Sequence, residues 1–282
     1  LFRYAAKAFI SKALVKELDE KGWGIDVVSG GEMATVQETV GTLENTVFNG
    51  TFKRTDEIEY FIQNNGGHIS IDNRYEIEML EKAASSLKKK QPVIMRINLD
   101  VGAETHPMVL TSGYDQQFGI SISFAEEALN QIASSKSLLF SGIHVHIGSQ
   151  IKDPERYKLA MSSCSEFMNS NLEKVEGEAV FNAGGGFFSP YAGEEVDHEL
   201  TVYSQSIHDG VKEHWGEGYK IMIEPGRALV NNPGVILYTA GAIKADRGDK
   251  PYILVDGGMS DNPRPALYGS EHKLFNISGG KS

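Results

Sequence analysis

Rhythm constrains this chain most. Eight strand-like apolar runs, the first seven each followed by a helical stretch, fill about 230 residues. The runs lie at Phe2 to Ala8, Gly24 to Val28, Thr46 to Phe48, His68 to Ile71, Val93 to Ile97, Leu138 to Ile147, from Ala179, and at Tyr219 to Ile223. Between them, apolar residues recur at helical spacing. Ser11 caps a pattern with Leu14, Val15 and Leu18 on one face, and a helix follows from about Glu32 to Val40. Thr55 starts one with Ile58, Phe61 and Ile62, and Asn73 with Glu76 opens one through Ile77, Leu80, Ala84 and Leu87. Ser123-Phe-Ala-Glu126 reads as a capping box ahead of Leu129 and Ile132. Asp153-Pro154 opens a helix containing Cys164 and Phe167, and another runs from about His198 to Trp215. Such alternation requires a parallel sheet, and its count and length predict a TIM-like (β/α)8 barrel over residues 1–230. A doubly wound open sheet is the alternative. After Arg227 the rhythm breaks: Val235 to Ile243 and Tyr252 to Asp256 are strand-like with no clear helix between them. Residues 231–282 therefore read as the beginning of an all-β domain, incomplete here.

Composition narrows the class. With 40% apolar and 23% charged residues, the chain is of the soluble globular kind. A formal net charge of −11 argues against nucleic acid as a general partner. The single cysteine, Cys164, excludes an internal disulfide and fits the reducing cytoplasm; at a core position of its helix it is read as packing. No apolar run reaches the length of a membrane span, and no signal peptide is visible. The chain opens at Leu1 inside a strand and stops at Gly279-Gly280-Lys281-Ser282, so it is expected to be part of a longer protein.

A (β/α)8 barrel carries its chemistry at the C-terminal ends of its strands. Here those ends present Lys7, Asp26 with Ser29, Asn49, Asp72, Arg96, His146 with Ser149, Gly184 to Gly186, and Glu224 to Arg227. The run Ala179-Val-Phe-Asn-Ala-Gly-Gly-Gly-Phe187 ends in three glycines, which let backbone N–H groups approach a ligand closely, phosphate being the usual one. Ile221-Met-Ile-Glu-Pro-Gly-Arg227 supplies a second glycine and a cation where barrels commonly hold phosphate, after strands seven and eight. The long loop from Asn98 to Gln117 is a further functional candidate. A lysine, a histidine ring, a carboxylate and an anion cradle are the parts that hold pyridoxal phosphate. Plainer readings exist for each: Lys7 as a solvated strand-end lysine, Glu224 paired with Arg227, and Arg96 with Asp26 as a buried ion pair. His144 and His146 fall on one side of their strand, but no further His or Cys lies at metal-motif spacing, so no metal is expected.

Six stretches in order carry a resemblance. They are Tyr4-Ala-Ala-Lys7-Ala-Phe9, Asp26-Val-Val-Ser-Gly-Gly-Glu32, Gly142-Ile-His-Val-His-Ile-Gly-Ser-Gln150, Asn182-Ala-Gly-Gly-Gly186, Glu224-Pro-Gly-Arg227 and Asp256-Gly-Gly-Met-Ser-Asp-Asn-Pro-Arg-Pro-Ala-Leu-Tyr268. Together they resemble the diaminopimelate decarboxylase family, alanine-racemase-like enzymes of fold-type III that use pyridoxal 5'-phosphate. The resemblance implies that Lys7 is the Schiff-base lysine, that His146 stacks on the cofactor ring and that Glu224 bonds the pyridine nitrogen. It implies that Ser149, Gly184, Gly185, Gly186, Pro225, Gly226 and Arg227 surround the cofactor's phosphate end, and that Arg227, Arg264 and Tyr268 contact substrate. A carboxylate at Glu224 keeps the pyridine nitrogen protonated and so favours decarboxylation over racemisation.

The chain also departs from the family. The loop after the third strand usually reads His-Gly-Asn-Asn-Lys, where this chain has Asn49-Gly-Thr-Phe-Lys53. The family's Cys-Glu-Ser-Gly-Asp motif, with its proton-donating cysteine, and a later tyrosine would follow Ser282, and the first β-domain strands would precede Leu1. The expectation is decarboxylation of meso-2,6-diaminopimelate to L-lysine and CO2, the last step of lysine biosynthesis, in a cytoplasmic homodimer with shared active sites. The alternatives are a related ornithine, arginine or carboxynorspermidine decarboxylase, and a non-catalytic regulatory homologue.

Overall fold

The computed structural model describes residues 1–99, 117–190, 199–245 and 251–277. The long loop expected from Asn98 to Gln117 lies, apart from its ends, outside the described residues.

Eight strands run parallel and neighbour one another in chain order: β1 (Arg3–Ala5), β2 (Gly24–Val27), β3 (Thr46–Phe48), β4 (His68–Ile71), β5 (Gln91–Asn98), β7 (Leu138–His144), β8 (Val180–Asn182) and β9 (Lys220–Met222). The ring closes between its last and first members. Phe2 bridges Ile223 in parallel, the Arg3 N–H donates to Ile223 O at 2.9 Å, and the Ala5 N–H donates to Pro225 O at 3.0 Å. Helices α1 (Lys12–Glu20), α2 (Gly30–Val40), α3 (Thr55–Gln63), α4 (Arg74–Ser86), α5 (Ala125–Ser134), α6 (Glu155–Asn169) and α7 (Leu200–Trp215) occupy the seven connections, and the short α8 (Arg227–Val230) follows β9. This is the (β/α)8 barrel that the alternation predicts; the doubly wound alternative fails on the closed ring.

Local chemistry explains the boundaries. Ser11 Oγ accepts the Leu14 N–H and Ser29 Oγ the Glu32 N–H, capping α1 and α2. Asn73 Oδ1 likewise caps α4 at the Glu76 N–H, but Glu76 does not return the bond to Asn73; its carboxylate accepts the Asp72 N–H and Lys53 instead. The capping box expected at Ser123 is not formed. A two-residue strand, β6 (Ile120–Ser121), pairs with the end of β5, so Ser121 takes the Ser123 N–H and a tight 3-10 turn over Ile122–Phe124 precedes α5. The first strand is shorter than expected. It ends at Ala5, and Ala6–Ala8 coil into a 3-10 turn that places Lys7 at the barrel rim.

Two packed layers result. Val47, Ile94, Val180 and Met222, from β3, β5, β8 and β9, form a small cluster of their own, while the large apolar cluster includes residues of the sheet and of the helices around it. Cys164 lies in that large cluster, as expected; its Sγ contacts Ala160 O and burial pushes the thiol up. At the C-terminal ends of the strands the interior turns polar: Asp26, Asn49, Ser70, His144, Asn182 and Glu224 are all buried.

The described residues group into two compact units. One comprises Leu1 to Phe188 with the stretch ending at Val230, and the other runs from Asn231 together with the segment that begins at Ser189. Within the second, β10 (Ala240–Lys244) pairs antiparallel with β11 (Tyr252–Val255), starting five residues later than the sequence predicts from Val235. A short helix unseen in the sequence, α9 (Arg264–Tyr268), follows, with the Arg264 guanidinium 4.9 Å from the centre of the Tyr268 ring.

Candidate active site

Glu224 organises the mouth of the barrel. It follows β9 and is buried. One oxygen, Oε1, accepts two amide donors: Asn182 Nδ2 at 2.6 Å and Asn49 Nδ2 at 2.9 Å. The other, Oε2, lies 3.4 Å from His144 Nε2. The same Asn49 amide donates to Asp26 Oδ1 at 2.7 Å. Strands β2, β3, β7, β8 and β9 thus contribute one polar side chain each to a single network.

His144 is held by Ser70, whose Oγ lies 3.0 Å from Nδ1. Burial, and then the cations Arg96, Lys7 and Lys53, keep this imidazole neutral by pulling its pKa well below the ordinary value. With Ser70 donating to Nδ1, the ring hydrogen falls on Nε2, towards Glu224; this tautomer is assigned from the network.

His146, two residues on, is also neutral, through burial and the nearby positive charges of Lys7 and Arg96. Its Nδ1 accepts the Gly185 N–H at 3.2 Å. Gly184 takes φ +66° and Gly186 φ +94°, left-handed conformations that favour glycine. A Cβ at Gly185 would stand 2.2 Å from Glu224 O, and one at Gly186 2.1 Å from Gly148 O. The three glycines are therefore required by close backbone approach, beyond making a tight turn.

Lys7 is exposed at the rim, and its charge reaches Asp26, Glu32, His144 and His146. Ser149 is exposed; Gly226 and Arg227 are half-buried at the start of α8, and Pro225 is buried. The structure brings Lys7, His146, Gly184 to Gly186 and Glu224 to one end of the barrel. Arg264 and Tyr268 belong to the second compact unit, described above by itself.

The ion pair considered between Arg96 and Asp26 is not the one formed. Arg96 Nη1 meets Asp72 Oδ1 at 3.1 Å, and its guanidinium lies 4.7 Å from the centre of the Phe118 ring. Behind it, the fully buried Lys53 donates to both oxygens of Glu76 at 3.1 and 3.0 Å and to Gly50 O at 2.9 Å. Among the described residues, no group of three or more His, Cys, Asp or Glu side chains is placed to hold a metal ion, and no helix is long and apolar enough to cross a membrane.

The sequence alone did not mark Asn49, Asn182, Asp26 and His144 as one unit. The available signal was position: each sits at or just beyond a strand's C-terminal end.

Comparison with known proteins identifies the family. Residues 1–231 match the family model described as pyridoxal-dependent decarboxylase, pyridoxal binding domain. The chain is 36% identical over 277 residues to the diaminopimelate decarboxylase of Bacillus subtilis (strain 168), covering 96% of this chain and 63% of that one. It is 34% identical over 281 residues to that of Staphylococcus aureus (strain COL), covering 98% and 65%. The chain thus spans a little under two thirds of the length of these curated relatives. Among solved structures, the diaminopimelate decarboxylase from Helicobacter pylori complexed with L-lysine superposes with a TM-score of 0.87 at 29% identity, covering 100% of this chain and 70% of that one. The one from M. jannaschii gives a TM-score of 0.87 at 29% identity, covering 97% and 64%.

Proposed function

The chain belongs to the pyridoxal-dependent decarboxylase family, and from that premise we propose that it decarboxylates meso-2,6-diaminopimelate to L-lysine and CO2, the last step of lysine biosynthesis, using pyridoxal 5'-phosphate. The observation that carries this reading is Glu224. It is a buried carboxylate with one oxygen saturated by Asn49 and Asn182, set beside a glycine cradle whose Cβ positions would collide with backbone.

These residues fit the cofactor. When bound, pyridoxal phosphate supplies the electron sink for the pair released as the carboxylate leaves as CO2. Lys7 would anchor it covalently, with His146 against its ring. Glu224 would hold a proton on the pyridine nitrogen, its Oε1 fixed in place by the two amide donors. Ser149, Gly184 to Gly186, Pro225, Gly226 and Arg227 would enclose the phosphate end. The neutral state of His146 suits a ring that packs, since it adds no charge to the stack.

Arg227, Arg264 and Tyr268 would bind substrate, the guanidinium groups matching a second carboxylate. The names of the relatives at 34 and 36% identity support diaminopimelate as substrate, and so does L-lysine, the product, in a superposing structure. Residues 1–230 would form the cofactor-binding domain and residues from 231 the start of a β domain. The working enzyme would be a cytoplasmic homodimer with shared sites.

The test is to incubate the full-length protein, loaded with cofactor, with meso-diaminopimelate, L-ornithine and L-arginine separately. Release of CO2 and lysine from diaminopimelate alone is expected. Preferential turnover of ornithine or arginine would move the assignment to a sister decarboxylase. No turnover of any substrate, despite loading, would leave a non-catalytic homologue.

A further inference from the structure

Two buried carboxylates, Asp26 and Glu224, are joined by one neutral amide. Asn49 Nδ2 has two hydrogens and spends one on each, at 2.7 and 2.9 Å. All three side chains are at least 95% buried, so water screens none of them. The amide's own oxygen, Asn49 Oδ1, is left with no hydrogen-bond partner. A flipped amide would turn that oxygen towards both carboxylates, so their presence dictates its orientation.

We propose that Asn49 couples Asp26 and Glu224 into a unit bearing a single negative charge, held on Glu224, with the proton of the unit resting on Asp26. Two carboxylates that share one donor in a dry interior resist ionising together. The donors decide which one does. Glu224 receives Asn182 and Asn49 at Oε1; the Nε2 of His144, 3.4 Å from Oε2, makes no hydrogen bond. Asp26 receives Asn49 alone, and its Oδ2 has no hydrogen-bond partner. Burial first, and the charge of Glu224 second, raise Asp26 to about 7.

The surroundings are of mixed sign. Lys7 beyond β1 and Arg96 of β5 act to lower Asp26, and the carboxyl of Glu32 on α2 also senses its charge. Arg3 of β1 faces Glu224 electrostatically, and His144 of β7 beside it is neutral. Asn49 and Asp26 are thus positioning residues, acting through Glu224. This inference rests on the assignment of Glu224 to the ring nitrogen: a charge fixed there is what would keep that nitrogen protonated.

The test is a carboxyl carbon-13 NMR titration of the full-length enzyme, with and without cofactor. One carboxyl should titrate near neutral pH without cofactor and vanish in Asp26→Asn. In Glu224→Gln its proton affinity should fall at least tenfold. In Asn49→Ala, which removes the donor to Asp26 Oδ1, that carboxyl should hold its proton more tightly. The proposal is overturned if the neutral titration survives Asp26→Asn, if Glu224→Gln leaves it unmoved, or if no carboxyl titrates near neutral pH. Should Asn49→Ala fail to fold, the other two variants still decide where the proton rests. The titration reads no turnover. A wild-type enzyme that titrates as described but decarboxylates nothing would overturn the proposed function alone.

Discussion

The Gly185 N–H donates to Nδ1 of His146 across 3.2 Å, so the loop after β8 fixes the state of a ring that follows β7. As an acceptor, Nδ1 carries no hydrogen, and the ring keeps its hydrogen on Nε2. The same glycine passes so close to Glu224 that a methyl group cannot be interposed. One residue therefore registers the ring, the cradle and the carboxylate together.

Gly185→Ala places a Cβ 2.2 Å from a backbone oxygen that cannot swing aside. Overpacking of this kind costs about 1–3 kcal/mol. We expect a lower melting temperature in thermal unfolding and a loss of pyridoxal phosphate affinity in an absorbance titration. Unchanged values for both would show that the loop moves freely.

Lys7 is exposed, so Lys7→Ala should leave stability within about 0.5 kcal/mol of the parent while abolishing covalent cofactor attachment. Borohydride reduction and peptide mapping of the parent should find the pyridoxyl label on Lys7. A label on another lysine refutes the assignment.

Glu224→Gln keeps an oxygen for Asn49 and Asn182 but carries no charge. Cofactor binding should persist while kcat falls about 100- to 1000-fold, the scale on which a preorganised electrostatic group acts. The loss belongs in kcat because charge builds on the ring only as the bond breaks. Steady-state kinetics on the loaded enzyme decide it, and an equal kcat would make Glu224 structural.

Lys53 and Glu76 form a buried pair, with side chains 0% and 3% exposed. Lys53→Met should cost about 3–5 kcal/mol, because it strands a carboxylate away from water. Adding Glu76→Gln should restore part of that, since no charge then remains buried. Denaturant unfolding of both single variants and the double gives the coupling directly, and additive losses would mean that the pair does not interact.

Asp26 has a definite sign in stability. Its folded value, about 7, lies above the ordinary 3.8, so the folded state holds a proton that the unfolded chain releases. Its contribution is present at low pH and is lost as pH rises through about 7. The depressed histidines, His68, His144 and His146, work in the opposite direction as pH falls. The difference between parent and Asp26→Asn isolates the carboxyl: the variant should gain relative stability between pH 5 and 8. Parallel melting curves across that range would contradict the raised value.

The succession of strands and helices was legible because each element keeps its own hydrophobic period over several residues. Thr46–Phe48 and His68–Ile71 match their expected bounds. The two-residue β6 and the five-residue α9 are too short to show a period, and a strand pattern cannot distinguish the 3-10 turn at Ala6–Ala8 from further strand. That the strand ends converge on one mouth followed from the barrel. The bonds among them did not: Asn49 and Glu224 lie 175 positions apart, and nothing local in either segment names the other. Likewise Glu76 looked like a cap for Asn73, whereas a lysine 23 positions earlier claims it.

The seam between β1 and β9 also sets an order of assembly. The Ile223 N–H donates to Leu1 O across 222 positions, and Glu224 lies immediately beyond that seam. A ribosome making this chain extrudes Lys7 first and Glu224 only after more than two hundred further residues. Until β9 arrives, β1 presents an open edge and the mouth lacks its carboxylate. Binding competence is therefore acquired in one step, ring closure, and while the stretch from Lys7 to Glu224 is made the lysine is in place with no site to serve.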